Sequence, residues 1–193
     1  MLKIGVTGGI GSGKSIVCKA LEALGYPVFY SDIEAKKLMH QSATAKLGLQ
    51  NILGEEAYIN GELNKAFIAT TIFTNPELKN QVNDLIHPLV RSAFTSWASA
   101  QNNTLVFNEA AILFETGSYK QFDATLLVTA DRETRIKRVM ARDHISKEEV
   151  ETRMKNQWED EKKIPLADFV IYNDDKKLIL PQLITIIETL LKK

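Results

Sequence analysis

The chain has 193 residues, 45% of them hydrophobic, with 24 lysines and arginines balanced by 24 aspartates and glutamates. That length and apolar share suit one globular domain with an insertion or two. A formal charge of zero argues against a nucleic-acid protein but leaves room for a local basic pocket. No segment approaches the ~20 apolar residues of a membrane span, and Lys3 with the glycines from Gly5 onward cuts short any signal-like run. A soluble, cytoplasmic protein with no nucleic-acid or membrane partner is therefore expected. Its oligomeric state is not legible from composition, and a monomer is compatible with it.

In chain order, residues 2–7 predict a short buried strand ended by Gly8 and Gly9. Ile16, Val17, Ala20, Leu21 and Leu24 follow at helical spacing, with Gly25 placed as a C-cap. Cys18, the only cysteine, reads as a small buried apolar residue. Residues 27–30 predict a second strand, and strand, glycine loop, helix, strand is a βαβ unit with parallel strands. From about 32 to 100 the pattern is helical, with Asn60-Gly61 as a turn, Asn75-Pro76 as a helix start and His87-Pro88 as a break between helices. Strands return at 104–108, 124–129 and 169–172. Between the last two lies a charged helical stretch, with Asp131 and Ser146 as N-caps and Ser146 and Glu149 at capping-box spacing. An apolar helix over 178–191 closes the chain. The expected fold is three-layer α/β/α around a five-stranded parallel sheet. Residues 1–31, 101–135 and 164–193 would form the core, 32–100 a helical substrate region and 136–163 a lid.

Gly8-Gly9-Ile10-Gly11-Ser12-Gly13-Lys14-Ser15 matches G-x-x-x-x-G-K-[ST] between a strand and a helix, where a phosphate-binding loop belongs. Glycines let backbone N–H groups turn inward around phosphate oxygens, and the helix beginning near Gly13 adds its positive dipole end. Lys14 suits the β- and γ-phosphates of a nucleotide, and Ser15 offers a hydroxyl to Mg²⁺. In an open parallel sheet ligands sit outside the carboxyl ends of the strands. Asp32 follows strand two there, placed either to accept a proton from an acceptor hydroxyl or to cap the next helix. Glu109 ends the third core strand, where it can orient magnesium-bound water or serve as an ion-pair partner. Arg135, Arg138 and Arg142 share one helix face, with Arg153 beyond. Such a stripe is either a solvated face or a source of cations for phosphoryl transfer, with Arg142 the best placed. His87 reads as a helix-break residue or a ligand contact. A guanine-reading N-K-x-D element is missing, because Asn173-Asp174-Asp175-Lys176 runs in the wrong order. That counts against a nucleotide switch.

The ordered series of motifs resembles the dephospho-CoA kinase family over nearly the whole length. It comprises Thr7 to Ser15, Ser31-Asp32, Ile86-His87-Pro88-Leu89-Val90 and Ile112-Leu113-Phe114-Glu115. It continues with Arg138, Arg142-Asp143, Arg153 and Gln157, and ends with Ala167-Asp168-Phe169-Val170-Ile171-Tyr172-Asn173. The resemblance implies a P-loop kinase that transfers the γ-phosphoryl group of ATP, with Mg²⁺, to the ribose 3′-hydroxyl of dephospho-CoA. Gly9, Gly11, Ser12, Gly13, Lys14, Ser15 and Ile16 would hold the nucleotide, with Asn173 by its adenine. Asp32 would be the base and Arg142 would reach over the phosphates. The region around 32–90, including His87, would cradle the CoA moiety. Three positions depart from the family's usual pattern: Ile16 for threonine, Tyr30 for an acid and Ala111 for proline. The nearest alternative is another small-molecule or nucleoside monophosphate kinase of the same build.

Overall fold

The computed structural model describes residues 1–192 and divides into two compact units. One comprises Met1–Phe29 with the chain from Gln101 onward, and the other comprises Tyr30–Ala100.

The first unit is built on a five-stranded parallel sheet. Its strands are β1 (Leu2–Thr7), β2 (Val28–Tyr30), β5 (Leu105–Glu109), β6 (Ala124–Thr129) and β7 (Phe169–Tyr172), in the order β2-β5-β1-β6-β7. Parallel sheets are covered on both faces, so their strands are apolar without alternation. Leu105, Val106 and Phe107 in β5 and Leu126, Leu127 and Val128 in β6 are all fully buried. Register places Val6 opposite Glu109 on one side and Leu126 on the other. The central strand β1 therefore delivers the glycine loop to the carboxyl edge of the sheet.

Helix α1 (Lys14–Ala23) returns from that edge and buries Val17, Cys18 and Leu21, the i, i+1, i+4 pattern of an inward face. Burial pushes the Cys18 thiol up to about 12, with Glu22 adding to the rise and Lys14 opposing it. Such a thiol is an inert core group. Helix α9 (Ile179–Leu190) buries Leu183, Ile186, Ile187 and Leu190 and packs near β7 and α1.

Local chemistry sets the helix starts as the sequence predicts. Asp131 accepts a bond from the Thr134 N–H at 2.9 Å to open α6 (Arg132–Asp143). At α7 (Lys147–Met154) the Ser146 hydroxyl accepts from the Glu149 N–H at 3.2 Å, while the Glu149 carboxylate accepts from the Ser146 N–H at 2.9 Å. A short α8 (Asp160–Lys163) follows.

The second unit holds α2 (Ser31–Gln41), α3 (Ala43–Leu53), a small hairpin of β3 (Tyr58–Ile59) and β4 (Glu62–Leu63), α4 (Lys65–Thr74) and α5 (Pro76–Ser99). Its own core gathers Ala45, Leu49, Tyr58, Ile68, Val82 and Ile86. The Asn60-Gly61 turn has positive φ at both residues, 50° and 84°, as a tight hairpin turn requires.

The structure departs from the sequence reading at two places. His87-Pro88 does not separate two helices, because α5 runs unbroken through Pro88. Pro88 and Asp84, whose carbonyl loses its N–H partner, are both exposed, so water can take the freed acceptor. Helix α5 packs against α2, α3 and α4, and that support outweighs the local penalty. Asp32 is likewise not an N-cap. Tyr30 holds the cap position, and Asp32 lies in the first turn of α2 with Glu34, where acids suit the helix dipole. No described helix is long and apolar enough to cross a membrane.

Candidate active site

The glycine loop leaves β1 and becomes helix in one step. Gly13 has φ of 92° and occupies the cap position of α1, a conformation few other residues adopt. A Cβ there would lie 2.0 Å from the Asn173 Nδ2. Gly13 offers no side-chain cap, and the first turn carries no acid. Lys14 opens the helix instead, at its positive end. That arrangement is unfavourable for the bare helix and suits a bound anion.

Lys14 forms an ion pair with Glu109 at the end of β5. Glu109 is itself buried, 8% exposed. Ser15 is exposed on the first turn of α1. The Ile16 side chain is 57% exposed, and its N–H already donates to the Gly13 carbonyl at 2.9 Å.

Beside the loop lies a cleft of about 620 Å³, lined by Gly8–Gly11 and Gly13–Ile16 with Ala111, Arg138, Arg142 and Gln157. That size lies within the roughly 300–1,000 Å³ of small-molecule sites. The three arginines predicted as one stripe have three different environments. Arg135 is only 4% exposed and lies under the loop. Arg138 donates to Asp175 at 2.6 Å. Arg142 lines the cleft but is held by Asp143, its Nε donating to Oδ1 at 2.7 Å and its Nη2 to Oδ2 at 3.0 Å. Arg153 donates to the same carboxylate at 2.8 Å. Hydrogen bonding from Arg142 holds the Asp143 carboxyl below the usual carboxylate range, and the same bond raises Arg142.

Asn173 has a role in the loop that the sequence did not suggest. Its side-chain amide donates to the Ser12 carbonyl at 2.8 Å, and its backbone N–H donates to Thr129 at 2.8 Å. It braces the loop from β7. Gln157 does the same from beyond α7, accepting from the Ile10 N–H at 2.8 Å and donating to the Ala111 carbonyl at 3.4 Å. Glu115 anchors the segment that follows, accepting from the Trp158 N–H at 2.9 Å and pairing with the fully buried Lys163 at 2.9 Å.

Asp32 and His87 belong to the second unit, in α2 and α5 respectively. Burial lowers the His87 imidazole below its usual value, Asp84 and Asp32 oppose that shift, and Arg91 adds to it. His87 is therefore neutral near pH 7. Among the described residues no three His, Cys, Asp or Glu side chains are grouped to hold a metal ion.

Comparison with known proteins follows the same lines. A sequence model of the family described as dephospho-CoA kinase matches residues 2–178. A dephospho-CoA kinase from Bacteroides fragilis is 40% identical over 193 residues, covering 100% of this chain and 94% of that one. A crystal structure from Thermus thermophilus superposes with a TM-score of 0.85 at 34% identity, covering 99% of this chain and 96% of that one. A dephospho-CoA kinase structure from Campylobacter jejuni shares the fold, with a TM-score of 0.70 at 23% identity and coverage of 96% and 95%. With the match running from end to end and the phosphate-binding loop intact within it, the chain belongs to the dephospho-CoA kinase family and is a phosphotransferase.

Proposed function

We propose that the chain transfers the γ-phosphoryl group of ATP to the ribose 3′-hydroxyl of dephospho-CoA, with the loop amides and Lys14 holding the β- and γ-phosphates. The observation that carries this reading is the start of α1, where a positive-φ glycine, no side-chain cap and a lysine come together at the mouth of the cleft. An anion such as a phosphate chain suits the positive end of a helix that carries no acid of its own in its first turn, with Lys14, held by Glu109, beside it.

Asp32 is the proposed base. It follows the carboxyl end of β2 in the chain, on the first turn of α2. As a carboxylate it would accept the 3′-hydroxyl proton as the oxygen attacks phosphorus and ADP departs. Phosphoryl transfer passes through a loose transition state, so positioning and charge stabilisation should outweigh base strength. Arg142, with Arg138 nearby, is proposed to leave Asp143 for the transferring group. The stretch 136–163 would act as a lid that excludes water. The region 32–100, with His87, would receive the acceptor.

Mg²⁺ fits the donor set. This ion keeps several waters and usually takes one or two protein oxygens beside the substrate phosphates. One exposed hydroxyl at the helix start and one acid at a strand end, with no three-ligand cluster among the described residues, suit an ion that arrives with the nucleotide. Ser15 would hold it directly and Glu109 through water, and its chemistry would be charge neutralisation on the phosphates.

A coupled assay of ADP release over a panel of acceptors tests the reading. Turnover with dephospho-CoA and little with nucleoside monophosphates or shikimate is expected. The reverse pattern would defeat it.

A further inference from the structure

Beneath the loop lies a buried ionic network that the proposed chemistry does not use. Arg135 of α6 and Asp160 of α8 are 4% and 7% exposed, and their Nη1 and Oδ1 atoms are 3.2 Å apart. The other Asp160 oxygen accepts a bond from the hydroxyl of Thr129 at the end of β6. Arg135 Nε donates to the Ile10 carbonyl at 3.0 Å. Its Nη2 lies so close to the loop backbone that a Cβ on Gly9 would approach it to 2.1 Å.

Ile10 is thereby held on three sides by residues far away in the chain. Arg135 holds its carbonyl and Gln157 its N–H, while its side chain packs on the cluster of Ile136, Val139, Val150 and Met154 between α6 and α7. A buried ion pair is weak evidence of stabilisation, since desolvation consumes much of its attraction. Its geometry, however, sets the backbone that must present N–H groups to phosphate. Loops that bind by backbone amides lose affinity steeply when those amides are displaced, because orientation is most of what they contribute.

We infer that Arg135, oriented by Asp160 and Thr129, is a positioning residue for ATP, fixing the Ile10 peptide so that the glycine loop is preformed for the phosphates. The inference rests on the reading that this loop takes the nucleotide. Arg135 lies beneath the loop and acts through Ile10 and Gly9 rather than by touching substrate. Lysine cannot replace it, because a point charge cannot reach the Ile10 carbonyl and Asp160 together as a guanidinium fork does.

The experiment measures kcat and KM for each substrate, well below each variant's melting temperature. The variants are Arg135→Lys, Asp160→Asn and the apolar pair Arg135→Met with Asp160→Leu. The apolar pair removes both charges at once and leaves neither unpaired. The isosteric Asp160→Asn supplies a second folded variant should the pair not fold. Expected is a rise in KM for ATP of ten-fold or more in the apolar pair and in Arg135→Lys, with KM for dephospho-CoA within two-fold of the parent. Asp160→Asn should show a smaller rise of the same kind. A network that serves stability alone would lower the melting temperature and leave both KM values unchanged in the folded variants, and that result overturns the inference. Isothermal titration of the parent protein with ATP separates the two levels. Parent protein that fails to bind ATP defeats the reading of the loop, whereas parent protein that binds while the variants bind equally well defeats the role of Arg135.

Discussion

Replacing Lys14 or Asp32 should lower kcat, but only the loss of Lys14 should also weaken ATP binding. Lys14 opens α1 and meets Glu109, so Lys14→Met removes the cation at the mouth of the cleft. Both ATP affinity and kcat should fall, because the cation holds the phosphates in the ground state and more strongly as charge shifts in the transition state. Asp32→Asn should lower kcat by ~10²–10⁴ and leave ATP binding close to the parent, as loss of a proton acceptor does. Steady-state kinetics with titration calorimetry separates the two, and a parent-like kcat in Asp32→Asn would remove it from the mechanism. His87 gives a pH prediction. Its imidazole is held below the usual 6.5, chiefly by burial, so the unfolded chain takes up that proton more readily than the folded one. The stability it contributes is complete above about pH 6.5 and declines as the pH falls through and below that value. Thermal melts between pH 7.5 and 5 should show a loss on acidification that is shallower in His87→Gln.

At the scale of single elements, capping at α7 and support within the second unit are separable. The reciprocal bonds of Ser146 and Glu149 satisfy two N–H groups at the start of a helix of only eight residues. Ser146→Ala should cost about 1 kcal/mol of stability, read as a shift in the denaturant midpoint. Ser146 does not line the cleft, so kcat with saturating ATP should change less than two-fold. In α5, Pro88 shows why local rules mislead. An X-Pro pair disfavours helix at the preceding residue, yet the packing of Val82 and Ile86 holds the helix through it.

At the scale of the molecule, two units have separate cores, one under the sheet and one among α2 to α5. ATP held by the loop should stabilise the folded state by about 2.7 kcal/mol at a hundred times its dissociation constant. For a chain of this size that corresponds to a rise in Tm of roughly 5–10 °C. Scanning calorimetry with and without MgATP checks it, and no shift would contradict nucleotide binding at the loop.

The features legible in the sequence were those written in neighbouring residues. Apolar runs marked the strands, helical spacing marked α1 and α9, and Asp131, Ser146 and Asn60-Gly61 announced caps and a turn, because such signals act over a few residues. The glycine loop was legible for the same reason. The ordered motifs also carried the family, which the comparisons bear out. What needed the folded chain was every contact made at long range. Asn173 meets Ser12 across 161 positions, Gln157 meets Ile10 across 147 and Arg135 meets Ile10 across 125. Spacing along α6 set Arg135, Arg138 and Arg142 on one face, with Arg142 the best placed for phosphate, and it could not show which would be buried. A charge goes inside only where a partner such as Asp160 awaits it, and the approach of that partner is decided by how the strands and helices assemble.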